Sequence, residues 1–176
     1  MHIFLTGALQ IGKSTIISRV ISSPGLRVGG FRTSFGPDRA SPDRLLYLYG
    51  AGAPPALDEA HGVVRFTGRV PTPIPGRFDQ LGVPLLREAR ARASLIIMDE
   101  CGRLESDALP FQAEILAALD GDIPVLGVVR EGLPGWTPAV AAHPRVRLVT
   151  VTKENRDSLP AQLNRWVYHP HLDEIG

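Results

Sequence analysis

The sequence predicts an α/β protein with a mostly parallel sheet, helices on both faces and an antiparallel insertion at one sheet edge. Three observations predict it. A strand–turn–helix signature opens the chain: Ile3-Phe4-Leu5, then Gly7-Ala8-Leu9-Gln10-Ile11-Gly12-Lys13-Ser14, then the helical spacing Ile16, Ile17, Val20, Ile21. Leu95-Ile96-Ile97-Met98 is an unbroken apolar run, as expected of a strand covered on both faces. Elsewhere short apolar runs alternate with helical stretches, the pattern of a parallel α/β sheet.

The first strand is expected over 2–6 and its helix over 13–22, stopped by Ser22-Ser23-Pro24-Gly25. A second strand spans 27–32. The stretch 34–77 carries many of the 16 prolines and 18 glycines, yet holds the strand-like runs Leu45-Leu46-Tyr47-Leu48-Tyr49 and Val63-Val64-Arg65-Phe66. It reads as the antiparallel edge insertion, and a long connection of this kind suits a lid over a ligand. A helix follows over 79–93, then the strand at 95–98 and a helix over 107–119 with Ser106 as its cap. Leu109, Ile115, Leu116 and Leu119 form that helix's core stripe. Pro124–Val129 and Val146–Val151 are two more buried strands. The last helix covers 157–167, capped by Asp157, with Pro160 tolerated in its first turn.

Composition limits the function classes. A chain of 176 residues, 44% hydrophobic, is long enough for one domain, 1–176, and too apolar for disorder. A formal net charge of +1 gives no electrostatic reason to expect nucleic acid or an anionic membrane as partner. The single cysteine, Cys101, excludes an internal disulfide and suits a reducing compartment; beside Glu100 it reads as a small packed side chain. No apolar run approaches a membrane span, and the turn at Gly7 needs the strand before it, which argues against a cleaved leader. The expectation is a cytoplasmic monomer. His169 and His171 flank Pro170 and read as a surface tail, not a metal site.

Residues 7–14 match the phosphate-cradling P-loop pattern GxxxxGK[ST], in the strand-to-helix setting that gives the pattern meaning. Glycines let backbone N–H groups converge on phosphate oxygens, and the helix N-terminus adds partial positive charge there. Gly7, Ala8, Leu9, Gln10, Ile11, Gly12, Lys13, Ser14 and Thr15 are the expected nucleotide-binding residues. Lys13 is expected to reach the β- and γ-phosphates, and Ser14 to put its hydroxyl on Mg²⁺. Of 19 basic residues only Lys13 and Lys153 are lysine, so a chain biased toward arginine keeps a compact ammonium at this position. Asp99 and Glu100 end the apolar strand, as in a Walker B segment. Asp99 is expected to hold the metal and Glu100 to take a proton from the attacking water.

Four segments together resemble the cancer-related nucleoside-triphosphatase family, a group of small P-loop proteins. They are the P-loop, Val28-Gly29-Gly30-Phe31-Arg32-Thr33, Asp99-Glu100-Cys101-Gly102-Arg103-Leu104-Glu105, and Val149-Thr150-Val151-Thr152-Lys153-Glu154-Asn155-Arg156. The third is the most specific. It departs from the usual Asp-Glu-Ile-Gly-Lys-Met-Glu mildly, at Arg103 and Leu104; residues 36–56 match poorly. The resemblance implies a three-layer, RecA-like P-loop NTPase core and Mg²⁺-dependent hydrolysis of nucleoside triphosphates to diphosphates and phosphate, with loose base preference.

An arginine could stabilise charge on the transferring phosphoryl group. Arg32, Arg103, Arg130 and Arg156 are candidates, and Arg156 is the one favoured. Asn155 follows the last strand, where P-loop proteins often hold the base; a turn or capping role is the alternative. The guanine-reading string Asn-Lys-x-Asp is absent there, against strict GTP specificity. Trp136 could stack on a base, with partial burial the plainer expectation. Two rival functions stay open: a kinase passing the γ-phosphoryl group to a nucleoside or other small acceptor, and a non-catalytic nucleotide switch using 34–77 as a partner surface.

Overall fold

The computed structural model describes residues 1–130, 132 and 134–169; the predicted tail residues Pro170 and His171 lie outside them, and His169 is exposed at the end of the last helix. Eight strands form one sheet: β1 (His2–Thr6), β2 (Val28–Phe35), β3 (Asp43–Gly50), β4 (Gly62–Thr67), β5 (Val70–Pro73), β6 (Leu95–Cys101), β7 (Val125–Val129) and β8 (Val146–Thr150). The helices are α1 (Lys13–Ile21), α2 (Arg77–Arg92), α3 (Leu109–Leu119), α4 (Thr137–Ala141) and α5 (Leu159–Tyr168), with a 3₁₀ turn at Glu59–His61.

The strand order is β5-β4-β3-β2-β6-β7-β1-β8. The block from β2 to β8 is parallel throughout. β3, β4 and β5 add an antiparallel meander on the β2 edge. This is the expected insertion, although 34–77 is laid into the sheet as paired strands, not suspended as a loose lid. β5 was not legible, because Val70-Pro71-Thr72-Pro73 reads as a turn. Its outermost position tolerates prolines, which have no N–H to give a ladder.

Period-two alternation divides the core between two layers. On one face Phe4, Phe31, Ile96 and Met98 pack with Phe111 and Ile115 of α3 and Leu86 of α2. On the other, Ile3, Leu5, Leu95 and Ile97 pack with Ile16, Ile17 and Val20 of α1 and Leu163 and Trp166 of α5. The Phe111 ring lies 4.9 Å from that of Phe31 and 5.7 Å from that of Phe78. A Cβ at Gly82 of α2 would sit 2.3 Å from this ring, so only glycine lets α2 approach α3 this closely.

Two expected caps are corrected. α3 starts at Leu109 after Ala108, and the Ser106 hydroxyl donates instead to the Arg103 carbonyl. Asp79 of α2 serves the helix start from outside, accepting from the Phe111 N–H at 3.0 Å. α5 starts at Leu159 after Ser158, and the Asp157 carboxylate instead lies 3.9 Å from the Arg156 guanidinium. The short α4 was also missed; five residues with Pro138 near the start leave no periodic signal.

His2 is fully buried beneath α3. Its Nδ1 accepts from the Val125 N–H at 3.2 Å, which requires Nε2–H to donate to the Leu119 carbonyl at 2.9 Å. Burial lowers its pKa from 6.5 to about 4. Among the described residues no helix is long and apolar enough to cross a membrane.

Candidate active site

Parallel strands deliver their C-terminal ends to one edge of a sheet, and the connections after β1, β2, β6 and β7 meet there. β7 lies between the strand that carries the phosphate-loop pattern and the strand that carries the acid pair.

The loop after β1 turns on glycines at its two ends. Gly7 has φ +126°, and a Cβ there would sit 2.7 Å from the Val151 carbonyl; Gly12 has φ +112° and leads directly into α1. Lys13 curls back over the loop, its Nζ donating to the carbonyls of Gly7 at 2.9 Å and Ala8 at 2.7 Å. Partial burial lowers the ammonium's pKa, Glu100 and Asp99 oppose this, and Arg130 adds to it.

Ser14 Oγ donates to Asp99 Oδ1 at 3.1 Å. The P-loop and the mid-chain carboxylate therefore meet, as the sequence demanded. Arg32 stands opposite Asp99 in the β2–β6 register, with Nε and Nη2 each 3.2 Å from Oδ2. The same guanidinium ties α1 to the site through Ser18 Oγ at 3.0 Å and the Ser14 carbonyl at 3.2 Å. Thr33 Oγ1 donates to the Asp99 carbonyl at 3.1 Å. The Phe31-Arg32-Thr33 segment thus holds Asp99 from both its carboxylate and its backbone. Burial pushes the Asp99 pKa up; Arg32 and Ser14 pull it back, and the Glu100 charge raises it further.

Glu100 faces Arg130, whose Nε donates to Oε1 at 2.8 Å. Arg130 follows β7, and its N–H donates to the Cys101 carbonyl at 3.1 Å. Cys101 is fully buried, its thiol pushed up by burial. Trp136 is half-buried, and its indole N–H donates to the Gly102 carbonyl at 2.9 Å, which tethers the loop after Glu100.

The remaining candidates stand elsewhere. Arg156 lies beside Gln10, Gly12, Thr15 and Arg19 around a second cavity of about 220 Å³, on the other flank of the α1 start from Glu100. The Asn155 side chain is engaged by its own turn, accepting from Thr152 N–H at 2.8 Å and donating to the Thr150 carbonyl at 2.9 Å. The structure thus gathers Arg32 and Arg130, not Arg156, at the acid pair, because β8, which leads to Arg156, lies on the far side of β1 from β6.

Glu105 went unassigned in the sequence although it closes the Asp-Glu-Cys-Gly-Arg-Leu-Glu string. It is 4% exposed, accepts from the Gly102 N–H, and is raised by burial to about 8. A carboxyl five residues beyond the acid pair, in an otherwise short loop, was the available signal. Ser14, Asp99, Glu100, Arg130 and Glu105 share one cavity of about 370 Å³.

A family model described as NTPase matches residues 2–164. Nucleoside-triphosphatase THEP1 of Thermofilum pendens is 31% identical, with 93% of each chain covered. The cancer-related nucleoside-triphosphatase homolog of Bos taurus is 30% identical, covering 90% of this chain and 92% of its own. Among solved structures, THEP1 from the hyperthermophile Aquifex aeolicus aligns with TM-score 0.73 at 21% identity, over 93% of this chain and 96% of that one. A human cancer-related nucleoside triphosphatase aligns with TM-score 0.62 at 24% identity, over 92% and 94%. At those identities the two structures speak for the fold, a P-loop NTPase sheet flanked by helices.

Proposed function

The chain belongs to the NTPase family, and on that footing we propose that it is a hydrolase cleaving nucleoside triphosphates to diphosphate and phosphate, with Mg²⁺ as cofactor and loose base preference. The observation that carries this reading is the Ser14–Asp99 hydrogen bond with Glu100 alongside.

Ser14 and Asp99 offer oxygen ligands suited to a hard cation. Among the described residues no cluster of three or more His, Cys, Asp or Glu could cage a metal. That fits Mg²⁺, which takes one or two protein oxygens and relies on substrate phosphates and water for the rest. When bound, the ion neutralises charge on the phosphate oxygens. Lys13 offers its ammonium to the β- and γ-oxygens in exchange for its bonds to Gly7 and Ala8. Arg32 keeps Asp99 oriented. Glu100 accepts a proton from the attacking water, and Arg130, paired with Glu100, supplies positive charge near the transferring group.

Thr15, Gln10 and Arg156 line the flank on which the nucleoside end would emerge. Arg156 is read as a contact there, and Asn155 as the residue that shapes the turn carrying it. On this reading the chain is a cytoplasmic monomer acting on free nucleotides; its single cysteine, Cys101, is free and buried, as suits a reducing compartment.

The test is phosphate release over ATP, GTP, CTP and UTP with Mg²⁺ and then with EDTA. Release from several triphosphates, abolished by EDTA, is expected. Full activity in EDTA would remove the metal role, and no release from any triphosphate would remove the hydrolase reading.

A further inference from the structure

The cavity that contains Glu100, about 370 Å³, reaches well past the Ser14–Asp99 end where Mg²⁺ and the γ-phosphate would sit. It extends from Ser14 and Asp99 beneath the antiparallel meander, where Phe35, Leu46, Phe66, Phe78 and Leu104 wall its far end. Phe35 and Phe66 meet edge-to-face at 5.2 Å, and Phe35 stays 36% exposed. Arg44 lies over both rings, 5.2 Å from the Phe35 centroid and 4.9 Å from that of Phe66. Its Nη1 is fixed by the carbonyls of Ser41 at 3.1 Å and Gly68 at 3.0 Å.

The position of this cavity matters as much as its lining. In a P-loop the serine marks the Mg²⁺ and γ-phosphate end. The second cavity, with Gly12, Thr15 and Arg156, lies on the other flank. The aromatic cavity is therefore on the side from which a nucleophile approaches the γ-phosphorus. Apolar rings with a few placed polar groups are the makeup of a small-molecule site, not of a water channel.

We propose that this cavity is an acceptor subsite for a small ring-bearing alcohol with one anionic substituent, and that the protein transfers the γ-phosphoryl group to it. The assignment rests on the triphosphate reading above. The aromatic wall takes the ring, Arg44 the anion, and Glu100 faces the hydroxyl. The hydroxyl oxygen forms a bond to the γ-phosphorus, and the bond from that phosphorus to the β,γ-bridging oxygen breaks. Its electron pair leaves with the nucleoside diphosphate, and the hydroxyl proton passes to Glu100. The products are a phosphomonoester and a nucleoside diphosphate. Hydrolysis is the same displacement with water in the acceptor's place.

The experiment follows Mg²⁺-ATP turnover by ³¹P NMR with 4-(hydroxymethyl)benzoate, the four nucleoside 5′-monophosphates, and benzyl alcohol as the probe lacking an anion. A phosphomonoester signal growing with an anionic probe at the expense of orthophosphate, and weaker with benzyl alcohol, is expected. Arg44→Ala should lower the ester-to-orthophosphate ratio at least tenfold, and Arg44→Lys should restore part of it. Leu46→Trp, which fills the cavity, should lower the same ratio in a chain that keeps Arg44. Orthophosphate alone from every probe overturns the acceptor subsite and leaves hydrolysis standing; no ATP cleavage under any condition overturns both. A ratio unchanged in Arg44→Ala and Leu46→Trp also overturns the assignment.

Discussion

Ser14 and Asp99, 85 positions apart in the chain, are joined by a 3.1 Å hydrogen bond from the serine hydroxyl to the carboxylate. Two segments that each have innocent explanations alone become one site through this contact. Arg32 secures it from the third side.

Glu100→Gln keeps size and an acceptor oxygen for Arg130 but removes the carboxylate proposed as the base. Positioned general bases contribute roughly 10²–10⁴-fold. The expected outcome is a fall in kcat of that order with nucleotide affinity little changed, read by phosphate release and by titration with a fluorescent nucleotide. Wild-type turnover would exclude Glu100 from proton transfer.

Arg32→Ala leaves the buried Asp99 carboxylate without its bidentate partner. The guanidinium is 18% exposed and the carboxylate 3%. Breaking a fully buried pair from one side costs about 3–5 kcal/mol, and the partial exposure of Arg32 lowers the expectation to below that range, about 2–3 kcal/mol. Urea denaturation measures it. Asp99→Asn in the same background should recover part of the loss, since the uncompensated charge is then gone.

His2 makes stability depend on acid. Its pKa falls from 6.5 in the unfolded chain to about 4 in the fold. Between those values the unfolded chain holds more protons, so stability present above pH 6.5 declines as pH drops toward 4. The full loss is roughly 3 kcal/mol. In His2→Gln the slope of unfolding free energy across that window should flatten; an unchanged slope would mean that His2 is not the titrating group.

Glu105 acts in the opposite direction. Burial raises its pKa from 4.5 to about 8. The native state then holds the extra proton, so stability is full below pH 4.5 and declines as pH rises toward 8, by up to roughly 5 kcal/mol. Glu105→Gln mimics the protonated form. It should match the wild type at pH 5 and exceed it at pH 9 in thermal denaturation; equal melting points at pH 9 would mean the carboxyl stays ionised in the fold.

The parallel half of the fold was legible because its signals are local. A buried strand must be apolar along its whole length, as 95–98 is, and a phosphate loop needs glycine where the backbone turns left. Lys13, Ser14, Asp99 and Glu100 could be singled out as candidates for the same reason. What could not be read depends on partners distant in sequence. The start of α3 is served by Asp79 on another helix, so its own sequence carries no cap. β5 is a strand only because β4 offers it an edge. Arg130 looked no better than Arg156 until the sheet order put β7 beside the acid strand and sent β8 to the far side of β1.

The two prolines of β5 also bear on the molecule's behaviour at high concentration. A sheet that ends in a bare strand is a template on which a second molecule can continue the ladder, and repetition of that step yields insoluble fibrils. Pro71 and Pro73 leave half of this terminal strand unable to donate a bond outward. The wall of the cavity is thereby extended by a further strand without creating a surface on which copies of the chain polymerise.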